Sequence, residues 1–379
     1  MRLPRVEDFE DRLRVPEVTS RVGSVLGIAF TVCFLTGLWS HWQYGPPGWL
    51  TIPTSPAWLY RVTQGTHVLS GTVAIPLLLV KLWSVFPRLF ARPVLKPAVP
   101  ALLHVLERAS ILVLVASGIF QLVVGLLNTV QWYPWSFSFR STHYAVAWVM
   151  IGALAVHVAV KLPVIRRSFS HRVDADEPAA GSRLSRRGLL RATWVAAGLT
   201  FVLSAGQTVP LLRRVSVFGV RSGDGPLGIP INRTAAAAGV PDGSTGDAWQ
   251  LELSYAGRTV TMDRAALESM PQRTYALPIA CVEGWSASGD WTGVPLRDLV
   301  ESMGAPARSR VFVTSLQTRG AFATSELPEQ FVEDERTLLA LRLSGEPLTL
   351  DHGFPARIIA PNRPGVLQTK WVTRLEVAG

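Results

Sequence analysis

A chain of 379 residues can hold two or three domains, and 48% hydrophobic residues against 17% charged ones, with a mean hydropathy of +0.27, exclude a single soluble globule. The net charge of +10 and pI near 10.3 invite a nucleic-acid reading, but the basic residues stand mainly beside apolar runs, as loop charges do in membrane proteins. No nucleic-acid partner is expected, and Cys33 and Cys281 lie too far apart in character to suggest a disulfide.

In chain order, five stretches at about 22–42, 62–86, 102–127, 142–162 and 189–209 are long and apolar enough to cross roughly 30 Å of hydrocarbon as helices. The segment 1–21 and the connections after the second and fourth stretches are rich in Arg and Lys, which places them in the cytoplasm. The connections after the first and third stretches carry Trp42, Tyr44, Trp49, Trp58, Trp132, Tyr133 and Trp135, an outward-facing aromatic belt. An odd number of spans then sends everything after 209 outside the cytoplasm. The expected division is a cytoplasmic segment (1–21), a four-helix transmembrane domain (22–165), a cytoplasmic linker (166–188), a fifth transmembrane helix (189–209), an extracytoplasmic linker or wrapping segment (210–247) and a polar domain (248–379).

The polar domain alternates short β-prone runs, at 249–255, 310–315, 356–360 and 372–377, with Gly/Pro/Asp turns. The expected fold class is an all-α bundle of five spans followed by an α+β, strand-rich domain.

Five of the seven histidines, His41, His67, His104, His143 and His157, fall in or at the ends of the spans, where ionisable groups are costly and signal function. His143 and His157 are 14 positions apart on one helix, within roughly 40° of the same face and about 21 Å apart along its axis. His67 matches the depth of His143, and His104 that of His157. Each pair is a candidate bis-imidazole site for haem b, giving one haem or two. The helices resemble the four-helix cytochrome b subunits of bacterial formate dehydrogenases and hydrogenases, whose fourth helix also presents two histidine ligands. In that family an inner ligand comes from the start of the first helix, where this sequence has no histidine, so His104 is the substitute.

In the polar domain, Leu277-Pro278-Ile279-Ala280-Cys281-Val282-Glu283-Gly284-Trp285-Ser286 and Trp291-Thr292-Gly293-Val294-Pro295-Leu296 frame a lone cysteine. Read alone, such a cysteine is an inert core residue or a reactive or metal-ligating thiol. The block resembles the molybdenum-ligand segment of the sulfite oxidase family, nearest its methionine sulfoxide reductase catalytic-subunit branch. The resemblance implies a Mo-molybdopterin cofactor with Cys281 as the thiolate ligand. A second block, Asp351-His352-Gly353-Phe354-Pro355-Ala356-Arg357 followed by Lys370-Trp371, matches the family's cofactor-binding stretch. By that match His352, Arg357 and Lys370, with Gln368 and Thr369, hold the pterin and its phosphate, Ser315 supplies a further polar contact, and Asn232 lines the same site. Where sulfite oxidases place a tyrosine near the metal this chain has Phe322, and Arg319 is the basic residue assigned to the substrate.

The expected protein is therefore a multi-pass membrane oxidoreductase. It passes electrons between quinone or quinol, haem and molybdenum, and acts outside the cytoplasm on a small oxo-substrate (an S- or N-oxide, or a sulfite-like species) or an oxidised protein side chain. The alternative is an electron-carrying cytochrome b with a non-catalytic docking domain. Leu184-Ser185-Arg186-Arg187-Gly188-Leu189-Leu190-Arg191 resembles a twin-arginine export signal.

Overall fold

The computed structural model describes residues 11, 13–87, 98–173, 184–221 and 225–379, with the third helix's side chains described from 105 onward. Five helices come first: α1 (Pro16–Trp42), α2 (Leu59–Val85), α3 (Ala98–Thr129), α4 (Phe139–Ser170) and α5 (Arg186–Ala205). All five contain stretches long and apolar enough to cross a membrane. The first four outrun the apolar stretches read from sequence, because helical hydrogen bonding continues into the polar interface beyond the hydrocarbon. The fifth stops at Ala205, short of the expected 209, where Gly206 follows and its N–H is taken by Ser216 Oγ at 2.7 Å. At its other end Ser185 caps the helix, accepting from the Gly188 N–H.

The chain divides into two compact units. The first holds most of the five helices. Val18, Val22, Leu26 and Phe30 recur every fourth residue on α1, so they form one buried stripe, joined by Leu77, Met150 and Leu190 from α2, α4 and α5. Ile28, Leu35 and Leu112 are equally apolar yet 58–69% exposed, the outward surface that lipid covers.

The second unit contains two mainly antiparallel sheets. One has the order β2 (Arg258–Asp263), β1 (Gln250–Tyr255), β10 (Val372–Val377), β5 (Val311–Ser315), β6 (Thr324–Leu327), with β1 and β10 parallel. The other runs β3 (Arg273–Ala280), β4 (Ser286–Pro295), β7 (Leu338–Leu343), β8 (Glu346–Pro347), with β9 (Arg357–Ile359) also on β7. Alternating residues such as Val311 and Val313 of β5 and Leu251 and Leu253 of β1 point into one core with Val294, Leu339 and Ile358 of the other sheet. Helix α8 (Leu296–Ser302) adds Leu296, Leu299 and Val300 to it, and α9 (Glu329–Glu333) adds Phe331. Short helices α6 (Ala235–Ala238) and α7 (Arg264–Ser269) complete the unit. The strand-rich α+β class and all four of the β runs read from sequence are present.

Residues 39–65, the end of α1, its connection to α2 and the first turns of α2, belong to this second unit, together with 207–214. Ile52 is buried in the sheet core, with Trp42 and Leu50 packed against it. Asn362, itself in the left-handed region at φ 52°, fastens the connection: its Oδ1 accepts from the Tyr60 N–H at 2.7 Å, its Nδ2 donates to Pro53 O at 2.6 Å, and its N–H donates to Ala57 O at 3.1 Å. The aromatic connection read from sequence as an outward belt is thus a built-in piece of the polar domain, because it fills part of that domain's core.

Candidate functional site

Cys281 sits in the turn between β3 and β4, which are paired from Ala280 with Ser286 outward. The turn is closed by the Cys281 N–H to Trp285 O and the Gly284 N–H to Cys281 O, both 3.0 Å, with Gly284 at φ 97°, a conformation glycine adopts without strain. The thiol is 1% exposed. Burial, and then the neighbouring Glu283 carboxylate, push its pKa above the ordinary thiol range, while the Glu283 backbone N–H pulls the other way. A thiol so placed is inert as a free nucleophile; loss of its proton needs a bound cation to compensate. Asn232 Nδ2 lies 4.0 Å from Cys281 Sγ.

From Asn232 the site continues through backbone to a group of buried cations. Lys370 Nζ donates to Arg233 O at 2.6 Å and Asp351 O at 2.9 Å, and burial followed by the charge of Arg357 brings it down to about 7. Arg357, on β9, donates to His352 O at 3.0 Å and Gln368 O at 3.2 Å and lies over the Trp291 ring; burial lowers it to about 9. His352 is fixed by Thr349 Oγ1 and Ile229 O, and burial lowers its pKa. Gly353 makes the grouping possible: at φ 108°, a Cβ there would stand 2.9 Å from Lys370 Cβ and 3.1 Å from Arg357 Cβ. Ser315 Oγ donates to Lys370 O at 2.7 Å, and Thr369 Oγ1 pairs with Ser325 Oγ at 2.6 Å.

These residues fit an anionic cofactor. Arg357 is a buried and Lys370 a partly buried cation, neither with an ion pair among the described residues, and Arg357 Nε and Gln368 Oε1 are buried without a hydrogen-bond partner. Two unpaired cations with a spare N–H match a phosphate dianion, and the recessed Cys281 matches a soft metal.

Of the residues read from sequence as one site, Asn232 lies by Cys281, His352 and Gln368 accept from Arg357, Ser315 donates to the Lys370 carbonyl, and Thr369 pairs with Ser325. Arg319 is placed differently. It is exposed on the loop after β5, its N–H donating to Ala238 O and its stem lying against Gly239. Arg233 joins the group through its backbone carbonyl, which receives Lys370, while its guanidinium donates to Ala237 O at 3.0 Å and lies against Gly320. Its position directly after Asn232 was the signal for it. Phe322 packs against Tyr44, a phenol carried by the connection after α1, with ring centroids 6.1 Å apart.

In the helical unit, the His67 and His143 rings lie with centroids 6.2 Å apart at 74°. Two imidazoles each about 2 Å from a shared metal ion would have centroids about 6 Å apart, so the pair fits bis-imidazole ligation. His67 Nδ1 hydrogen-bonds Cys33 O at 2.9 Å, fixing its ring, and His143 Nδ1 is buried without a partner. Gly37 gives room: a Cβ there would be 2.9 Å from His67 Cε1. His157 is half-buried on α4 one turn before Lys161, which is ion-paired with Glu107. The His104 side chain lies outside the described residues.

Residues 237–379 match the family model for the oxidoreductase molybdopterin binding domain. This C-terminal part of the chain is thus similar to molybdopterin-binding oxidoreductases, sulfite oxidase among them. Among curated relatives, mitochondrial sulfite oxidase of Drosophila melanogaster is 26% identical over 155 residues, covering 34% of this chain and 27% of that protein. A putative protein-methionine-sulfoxide reductase subunit of Azospira oryzae is 29% identical over 119 residues, covering 29% of this chain and 41% of that protein. An uncharacterized oxidoreductase of Bacillus subtilis is 30% identical over 111 residues, covering 29% of this chain and 54% of that protein. The matches thus span about a quarter to about half of these relatives' lengths.

Proposed function

We propose that this chain is a membrane-bound molybdenum oxidoreductase that exchanges electrons with quinone or quinol through haem b and acts, outside the cytoplasm, on a small oxo-compound such as an S- or N-oxide or a sulfite-like species. The observation that carries the molybdenum reading is the unpaired Arg357 and Lys370, one buried and one partly buried, beside a buried cysteine in a domain similar to this family's. Bound molybdopterin would supply two-electron, oxygen-transferring redox chemistry. Cys281 would ligate the metal through its thiolate. Arg357 and Lys370 would hold the phosphate, with His352 fixed as a neutral donor or acceptor, and Asn232 would flank the thiolate. The backbone at Gln368 and Thr369 would border the pterin. Burial of Cys281, His352, Arg357, Gln368 and Thr369 keeps water from them, which strengthens their contacts.

The haem reading rests on the spacing of His67 and His143. A second haem at His104 and His157 would lie deeper in the bundle. The positive-inside distribution supports a polar domain outside the cytoplasm.

Metal analysis of the purified chain should give molybdenum and haem iron together. Cys281→Ser should keep the haem spectrum and lose turnover. His67→Ala and His143→Ala should each remove the same haem, while His157→Ala removes a different one. Haem without molybdenum in the wild type would overturn the catalytic reading. Following haem oxidation against haem reduction across S-oxides, N-oxides and sulfite identifies substrate and direction.

A further inference from the structure

Helix α5 ends at Ala205, but the chain does not simply leave it. Ten positions after Gly206 it comes back and binds the end of the same helix. Ser216 Oγ accepts from the Gly206 N–H at 2.7 Å and donates to Val202 O at 2.5 Å, and the Phe218 N–H donates to Leu203 O at 2.8 Å. Residues 215–220 belong to the same compact unit as α5.

The returning segment reads Val215-Ser216-Val217-Phe218-Gly219-Val220, six residues without a charge. Its polar and small members, Ser216 and Gly219, are buried. Its large apolar members face outward: Val217 is 75% exposed and Phe218 68%, with Val215 and Val220 near half. A loop bathed in water has the opposite preference, hiding its apolar groups and leaving its hydroxyl to the solvent.

The helix supplies the physical reason. Carbonyls near the C-terminal end of a helix run out of donors within it, and in hydrocarbon no water stands in for them. A segment that gives an O–H and an N–H to the carbonyls at 202 and 203, while turning valine and phenylalanine outward, meets both demands of lipid: polar groups paired inside, apolar groups outside. The exposed surface also continues the helix's own. Val195 and Leu199 form an exposed row on α5 at a spacing of four, and Leu203, whose carbonyl receives Phe218, is the next position in that row.

We propose that residues 215–220 form a non-helical lipid contact: after leaving α5 the chain returns to its last turn and sets Val217 and Phe218 into the acyl chains around that helix. The stretch after the fifth span is then a second membrane attachment before the chain enters the polar domain. This rests on the reading of α5 as a membrane span.

The test uses the full-length protein in phospholipid nanodiscs. Val217→Cys and Phe218→Cys, each in a Cys33→Ala background, carry a nitroxide label, and the background protein without an added cysteine is the blank for Cys281. Leu199→Cys on α5 is the lipid reference, and Arg308→Cys, at an exposed position of the polar domain, is the water reference. Access of each label to oxygen, which concentrates in acyl chains, is compared with access to a water-soluble nickel chelate by power saturation. Oxygen access should exceed chelate access at 217 and 218, as at 199, with the reverse at 308. Greater chelate access at either 217 or 218 overturns the proposal. Low access to both probes overturns it too, by showing that protein covers the segment. If Leu199→Cys itself favours the chelate, α5 is no span and the proposal falls with that reading. A second measurement needs no substitution at the segment: a lipid-soluble carbene precursor is photolysed with the unaltered protein in nanodiscs. Tryptic cleavage after Arg214 and Arg221 isolates residues 215–221 for mass spectrometry. That peptide should be labelled along with those of α5, and its absence from the labelled set while α5 is labelled overturns the proposal.

Discussion

Lys370 is a partly buried cation without an ion pair among the described residues, and this cost appears as pH dependence. Its pKa is held at about 7, against an ordinary lysine value near 10.5, by burial first and by Arg357 second. Between those two pH values the unfolded chain binds a proton that the folded chain does not, so the cofactor-free protein should gain stability as pH rises from about 7 to about 10.5. Below about 7 both states are protonated and the full cost of the buried charge remains. Lys370→Met should flatten this rise in the melting midpoint, and it should abolish cofactor retention. An equal rise in both proteins would mean that other groups carry the slope. Arg357, lowered to about 9, contributes in a higher window that the comparison cancels. Much of this residue-level picture was legible: Cys281, His352, Arg357 and Lys370 stand in two dense sequence blocks. Arg233 was marked only by its place after Asn232, because the Lys370 that its carbonyl receives is 137 positions away.

At the scale of elements, the helices and the strand runs could be read because each has its own period and composition. The segment after α1 could not, since its Trp and Pro content suits an interfacial loop as well as it suits the packed piece it is. Its attachment converges on Asn362, with Arg336 donating to Ser55 Oγ at 2.8 Å and Gln330 Nε2 to Ile52 O at 3.1 Å in support. Asn362→Ala would leave the Tyr60 N–H and the Pro53 carbonyl without their partner. The buried Tyr60 N–H left unpaired costs about 1–3 kcal/mol, while Pro53 is exposed and its carbonyl can turn to water. The variant should show a lower melting midpoint and new protease cleavage within 43–58, with the haem spectrum unchanged. Wild-type resistance to cleavage would show that the apolar packing of Ile52 alone holds the segment.

At the scale of the whole molecule, the order of export becomes a physical question. Arg186 and Arg187 open α5, just after the Ser185 cap, and their surroundings resemble a signal for moving folded domains. A cofactor-binding domain loaded before crossing has reason to use that route. Arg186→Lys with Arg187→Lys keeps the charge, so the helices should insert with unchanged orientation while the domain after α5 stays inside. A protease-accessible, molybdenum-loaded domain on the outer face of that double variant would reduce the motif to a charge cluster.

The clasp between Tyr60 and Asn362 spans 302 positions of chain. Ribosomes make residue 60 long before residue 362 exists, so the early segment must wait, its Ile52 and Trp42 without their seat, through the synthesis of three further long helices and most of the polar domain. Contacts of such separation carry a large loop-closure entropy and form late. A domain that folds around its cofactor first must therefore keep an open berth for 43–58, and docking of that segment is the step that completes it. Maturation would then end as an intramolecular assembly reaction, and a chain shortened after residue 209, which lacks the docking partner, should keep its 43–58 segment open to protease.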